Sequence, residues 1–117
     1  MVVLSVGSTL PEQREVDVAA MARADVIIAD MLEEVVHETG DSLQAIREGV
    51  DVQGKTVSLG DVMSGQVPAR KSAADIVLYK SVGSALQDVV TAEMLLREAL
   101  ASDQYELLPT GIVTIDR

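Results

Sequence analysis

Cysteine, phenylalanine and tryptophan are absent from this sequence, and histidine occurs once. Without cysteine there is no disulfide framework, no thiol nucleophile and no thiolate metal site. With two tyrosines as the only aromatic residues, the core has to be built from Val, Ile, Leu, Ala and Met. Such a core packs well but offers no aromatic platform on which bases or sugars stack. The single histidine, His37, rules out the common hydrolytic triads and most zinc arrangements, and its polar neighbours mark it as a surface residue. No glycine-rich dinucleotide fingerprint, Walker loop or serine elbow is present. Positive charge is scarce: 9 Lys and Arg face 19 Asp and Glu, for a formal net charge of −10. That balance repels phosphate backbones and anionic lipid surfaces, so neither nucleic acid nor membrane is expected as a partner. No apolar run approaches the ~20 residues that span a bilayer, and the N-terminus carries neither a basic leader nor a small-residue cleavage site. A cytoplasmic chain is the expectation.

What is present is apolar and aliphatic, 48% of 117 residues, a length typical of one domain or a piece of a larger one. Val2-Val3-Leu4-Ser5-Val6 is a short β-branched run ending at Gly7, which predicts a buried strand and a turn. Val16, Ala19, Ala20 and Met21 then recur at helical spacing, and Val26-Ile27-Ile28-Ala29 predicts a second buried strand. After Asp30, the residues Leu32, Val35 and Val36 share a helical face that Gly40 is expected to close as a C-terminal cap. Asp41 and Gln44 have capping-box spacing for a short helix closed by Gly49. Residues 50–74 carry Gly54, Gly60, Gly65 and Pro68 and read as loop-rich, with a helical turn around Leu59 to Met63. Ile76-Val77-Leu78-Tyr79 predicts a third strand, and the strongest helix signal follows to about Ser102, with Val82, Leu86, Val89, Val90, Met94, Leu96 and Leu100 on a wide apolar stripe. The tail, Tyr105 to Leu108 and Ile112 to Ile115, predicts one or two edge strands. Alternating strands and helices predict an α/β fold with parallel pairing. A sheet this small leaves open edges and uncovered apolar faces, for a second copy or a missing half to cover.

Ligands in open α/β sheets bind beyond the carboxyl ends of the strands. Two segments occupy such positions. One is the loop Gly7-Ser8-Thr9-Leu10-Pro11-Glu12-Gln13-Arg14-Glu15; the other is Lys80-Ser81-Val82-Gly83. From spacing alone each reads first as a plain strand-to-helix turn, the one after residues 2–6 with Ser8 or Thr9 capping and Glu15 favouring the helix N-terminus. Asp88 and the pair Glu33-Glu34 read as solvated helix faces and are assigned no catalytic role. No metal ligands are assigned.

Taken in order, Val6-Gly7-Ser8-Thr9-Leu10-Pro11 with Arg14-Glu15-Val16-Asp17, Ala24-Asp25-Val26-Ile27-Ile28-Ala29-Asp30 and Gly40-Asp41 form the first blocks of a pattern. Leu59-Gly60-Asp61-Val62 with Gly65, then Lys80-Ser81-Val82-Gly83 with Ala85, Asp88 and Ala92, complete it. The pattern resembles the ornithine cyclodeaminase/mu-crystallin family, which includes archaeal alanine dehydrogenase and ketimine reductases, over residues 1 to about 102. Residues 103–117 are a tail of unassigned role. The resemblance implies a partial Rossmann-like three-layer sheet with a long C-terminal helix, lacking the half that carries the glycine fingerprint and the residues binding a substrate carboxylate. It further implies NAD or NADP as cofactor, contacted by Val6, Gly7, Ser8, Gln13 and Ser81. Thr9 and Val82 would face a small amino, imino or keto acid. Where the family's cyclodeaminases place a proton-transferring aspartate in the first loop, this chain has Thr9, which cannot shuttle a proton near neutral pH. The resemblance therefore implies that the complete protein is an NAD(P)-dependent oxidoreductase or cyclodeaminase acting on amino, imino or keto acids, with the first loop pointing toward reduction, and that this chain has no turnover alone. A stand-alone domain that associates without catalysis is the alternative.

Overall fold

A computed structural model gives the three-dimensional structure and describes residues 1–103, 105 and 106. The chain divides into two compact units, residues 1–84 and residues 85–117.

In the first unit, β1 (Val2–Ser5), β2 (Val26–Ala29), β3 (Thr56–Ser58) and β4 (Val77–Lys80) form one four-stranded sheet in the order β1-β4-β2-β3. All three pairings are parallel. The chain leaves a gap between β1 and β2, adds β3 outside β2, and returns to fill the gap with β4. The register puts Val3, Leu78 and Ile27 side by side, so by the period-two alternation of strands they share one face. Helices α1 (Val18–Arg23), α3 (Gly40–Arg47) and α4 (Val52–Lys55) bring Met21, Ala45 and Val52 onto that face, where with Ala24 they form the buried core. The alternate residues Val2 and Leu4 point the other way from the outer strand β1 and are 56% and 69% exposed.

Local chemistry sets where the elements start and stop. The N-cap of α1 is Asp17, whose carboxylate accepts from the Ala20 amide; the expected capping by Ser8 or Thr9 does not occur. The other end of α1 is closed from outside, since the Lys55 ammonium donates to the carbonyls of Met21, Ala22 and Ala24. Gly40 does not end the preceding helix α2 (Leu32–Glu38); it opens α3, and Thr39 lies between the two, its hydroxyl donating to the Val35 carbonyl. Asp41 and Gln44 form no capping box: the N-cap of α3 is Thr39, with no side-chain cap hydrogen bond, and Asp41 is buried in the first turn. In the stretch 50–74 the helical turn expected around Leu59 to Met63 is α5 (Leu59–Met63), while α4 and β3 replace expected loop; the predicted third strand is the fourth, shifted by one residue to Val77–Lys80.

The second unit is α6 (Ala85–Ser102), which buries no residue and leaves Leu86, Val89, Val90, Met94, Leu96 and Leu100 exposed. The edge strands expected in the tail fall outside the described residues, apart from Tyr105 and Glu106. Among the described residues no helix is long and apolar enough to cross a membrane.

Candidate functional site

A parallel sheet sends all its strand ends to one rim. Ser5, Ala29 and Lys80 end neighbouring strands, so the loop after β1, Asp30 after β2 and residues 81–84 after β4 meet there. Loop 6–16 is held by a dense set of polar contacts. The Glu15 carboxylate accepts from the Ser5 hydroxyl at 2.5 Å and the Gly7 amide at 2.8 Å. The Ser8 hydroxyl donates to the Gln13 carbonyl at 2.8 Å, and the Thr9 amide to the Gln13 side-chain oxygen at 3.1 Å. From the start of α3, the Gly40 amide donates to the Leu10 carbonyl, while Asp41 Oδ1 accepts from the amides of Glu15 and Val16 at 2.8 and 2.9 Å.

Behind the loop lies a buried charge pair. Lys80 Nζ is 2.7 Å from Asp41 Oδ2, and neither side chain has any exposed surface. The contact is ionic in character, as Asp41 Oδ2 makes no well-directed hydrogen bond. Lys80 also donates to the Ser5 hydroxyl at 3.1 Å and reaches the Ser8 carbonyl at 3.4 Å. Burial pushes the Asp41 carboxyl up, but Lys80, the Val16 amide, the Ser8 hydroxyl and the Glu15 amide together hold it below the usual carboxylate range. Glu15 is also lowered, first by the Ser5 hydroxyl and then by the Gly7 amide.

The turn after β4 is organised by Asp30. Its carboxylate accepts from the Ser81 hydroxyl at 2.6 Å and from the amides of Val82 and Gly83 at 3.1 and 2.9 Å. Burial raises this carboxyl, and the Ser81, Val82, Gly83 and Met31 donors outweigh that and lower it. Gly83 takes φ +78, a left-handed conformation that suits glycine, to complete the turn.

The seven residues expected to contact ligand therefore lie in two segments of one rim. Val6, Gly7, Thr9 and Gln13 are exposed, Ser81 and Val82 are half-buried, and Ser8 is buried with its hydroxyl turned to Gln13. The Ser81 hydroxyl is engaged by Asp30. Sequence reasoning missed Asp30, Asp41 and Lys80 as organisers of the rim. Its one available signal was the alternation along β4, which puts Lys80 on the same inward face as Leu78. Cavities of about 340 and 350 Å³, the second lined by Arg14 to Val18, Asp41, Gln44 and Glu48, take in none of the seven. Among the described residues no cluster of His, Cys, Asp or Glu is placed to hold a metal ion.

A parallel sheet with helical crossovers, and with its loops gathered at the carboxyl rim, is the architecture of Rossmann-like α/β proteins. Within that class the chain belongs to the ornithine cyclodeaminase/mu-crystallin family, which it matches over residues 1–103. It is 33% identical over 97 residues to a Delta(1)-pyrroline-2-carboxylate reductase of Bacillus cereus, covering 82% of this chain and 30% of that protein. Among solved structures it superposes on a probable ornithine cyclodeaminase of Bordetella pertussis with a TM-score of 0.75 and 39% identity, covering 92% of this chain and 34% of the other. It also superposes on the Delta(1)-pyrroline-2-carboxylate reductase of Thermococcus litoralis in complex with NADH and L-proline, with a TM-score of 0.80, 29% identity, and coverage of 92% and 33%. The chain spans about 30% of the length of the curated relatives it matches.

Proposed function

We propose that this chain provides one side of the ligand rim of a cytoplasmic NAD(P)-dependent reductase acting on small amino, imino or keto acids, and that it does not turn over alone. The observation that carries the reading is the meeting of loop 6–14 and Ser81-Val82 at one carboxyl rim, in a fold whose relative from Thermococcus litoralis holds NADH and L-proline. The residues at the rim fit part of a dinucleotide. Val6 and Gly7 offer an apolar, small-residue approach to a flat ring, and Gln13, whose side-chain oxygen already accepts from Thr9, keeps its amide N–H groups for a ligand. Ser8 and Ser81 support the surface on which the cofactor would rest. Thr9 and Val82 are the substrate-facing pair. A pyrophosphate cradle is not part of this set, because no glycine-rich strand-to-helix turn is in the sequence. Bound nicotinamide would supply hydride chemistry; the chain's own share is to shape the rim and position the acid. Thr9 offers a hydroxyl for a hydrogen bond but no group that exchanges a proton near neutral pH, which favours reduction over cyclodeamination. Residues 1–102 form the family portion and 103–117 a separate tail in this reading.

A second reading, an associating domain without catalysis, is favoured by a specific observation: α6 buries none of its apolar residues, and β1 shows Val2 and Leu4 on its open side. Calorimetric titration of the 117-residue chain with NADH and NADPH, alongside its mass in solution, separates the two. Micromolar binding supports the cofactor rim. Absence of binding by an assembled oligomer favours the second reading.

A further inference from the structure

Among the described residues Lys80 is the largest side chain with no exposed surface, and the side chain of its partner Asp41 is equally buried. Stability alone does not account for the pair, because apolar side chains of similar volume generally serve a core as well or better. Its second contacts point elsewhere. Asp41 Oδ1 takes the amides of Glu15 and Val16, at the far end of loop 6–16. Lys80 takes the Ser8 carbonyl and the Ser5 hydroxyl, and that hydroxyl donates to the Glu15 carboxylate, which in turn accepts from the Gly7 amide at the near end. Both ends of the loop are thus tied to one buried pair, and its middle is tied at Leu10 to Gly40, the residue before Asp41.

We infer that Lys80 and Asp41 are positioning residues that hold loop 6–16 preformed at the carboxyl rim, so that the exposed Gly7 and Thr9, with the buried Ser8 supporting them, are in place before anything binds. The inference rests on the reading that this loop faces the cofactor. Neither side chain reaches the surface of the rim; both act through the loop. A preformed loop binds without the ordering loss that a mobile one incurs, which gives the pair a functional effect beyond the fold.

The test uses the 117-residue chain with Lys80→Met and Asp41→Leu combined, an apolar replacement of the pair, followed by amide exchange in NMR spectra and by NADH titration. The expected result is exchange about tenfold faster at Gly7, Glu15 and Val16, with the amides of β2 and β4 unchanged, and NADH binding weakened by a similar factor. Ser5→Ala, a milder change, cuts only the link from Lys80 to Glu15 and should speed Gly7 while leaving Val16 as it was. Loop amides that move in step with the strand amides, or do not move, overturn the inference. Should the double variant fail to fold, the Ser5→Ala pattern decides by itself. A wild-type chain that does not bind NADH places the grip on the nucleotide outside these 117 residues and leaves the exchange pattern to decide the positioning role.

Discussion

Gly40 shows how much rests on one missing carbon. A Cβ there would lie 2.5 Å from the Pro11 carbonyl oxygen and closer still to that of Gln13. Both are backbone atoms of the rim loop, which cannot rotate aside as a side-chain tip can. Gly40→Ala is expected to destabilise the fold by about 1–3 kcal/mol, the usual penalty of overpacking, measured by urea unfolding. Lys80→Met alone should do more, about 3–5 kcal/mol, because it strands the Asp41 charge without its partner. Its pH dependence has a definite sign. In the wild-type chain the Asp41 carboxyl is lowered in the folded state, so its contribution is fully present above the unfolded pKa of about 4 and fades as pH falls through the lower folded value. Removing Lys80 takes away the first of the groups that lower that carboxyl, so against the same burial its folded-state value rises relative to the wild type and the variant loses less by taking a proton. The deficit should therefore shrink as pH drops from 7 toward 4; urea midpoints across that range that keep a constant gap would count against the buried pair. This pair was legible in the sequence only in part. Strand alternation puts residue 80 on the inward face of Leu78, but a lysine at the end of an apolar run reads as the end of the strand. Its acid lies far away in sequence, at a position whose spacing resembles a helix cap.

At the scale of elements, the strong aliphatic runs gave β1, β2 and β4 to within about a residue, because three or four consecutive β-branched or leucine residues admit few other readings. β3 escaped notice for a physical reason. Thr56-Val57-Ser58 is three residues long, sits directly between α4 and α5, and gains its strand geometry from pairing beside β2 rather than from its own composition. The turn after β4 was located, but not what holds it. Asp30 gathers the Ser81 hydroxyl and the amides of Val82 and Gly83, so the end of β2 fixes the turn that follows β4. Asp30→Ala is expected to lower stability by about 1–2 kcal/mol, the lower part of the range for hydrogen bonds to a charged group because the carboxylate is partly solvated. Ser81→Ala should cost about 0.5–1.5 kcal/mol, and the two effects should overlap. A double-mutant cycle that finds them simply additive would mean the Ser81 hydroxyl works independently of Asp30.

For the whole molecule, composition had already said that aliphatic side chains must build the core and that more apolar surface exists than a small sheet can cover. Such surface lies on the exposed stripe of α6 from Leu86 to Leu100, at Val2 and Leu4 of β1, and at Val6 just after it. Self-association through such surfaces is opposed by a formal charge of −10 on every copy. The two terms respond differently to salt. Repulsion between net charges weakens as the Debye length shrinks from about 30 Å at 0.01 M to about 8 Å at 0.15 M, whereas apolar burial is little affected over that range. Association is therefore expected to strengthen as salt rises, and the unfolding midpoint to rise with protein concentration, since folding and assembly are then linked. Val89→Glu, a charge placed on the α6 stripe, should remove both dependences while leaving the β-sheet unit intact. Light scattering and urea titration at two concentrations and two ionic strengths measure this directly. A monomer whose stability ignores both variables would leave the apolar stripe without a second copy as its partner and turn the search to a different chain.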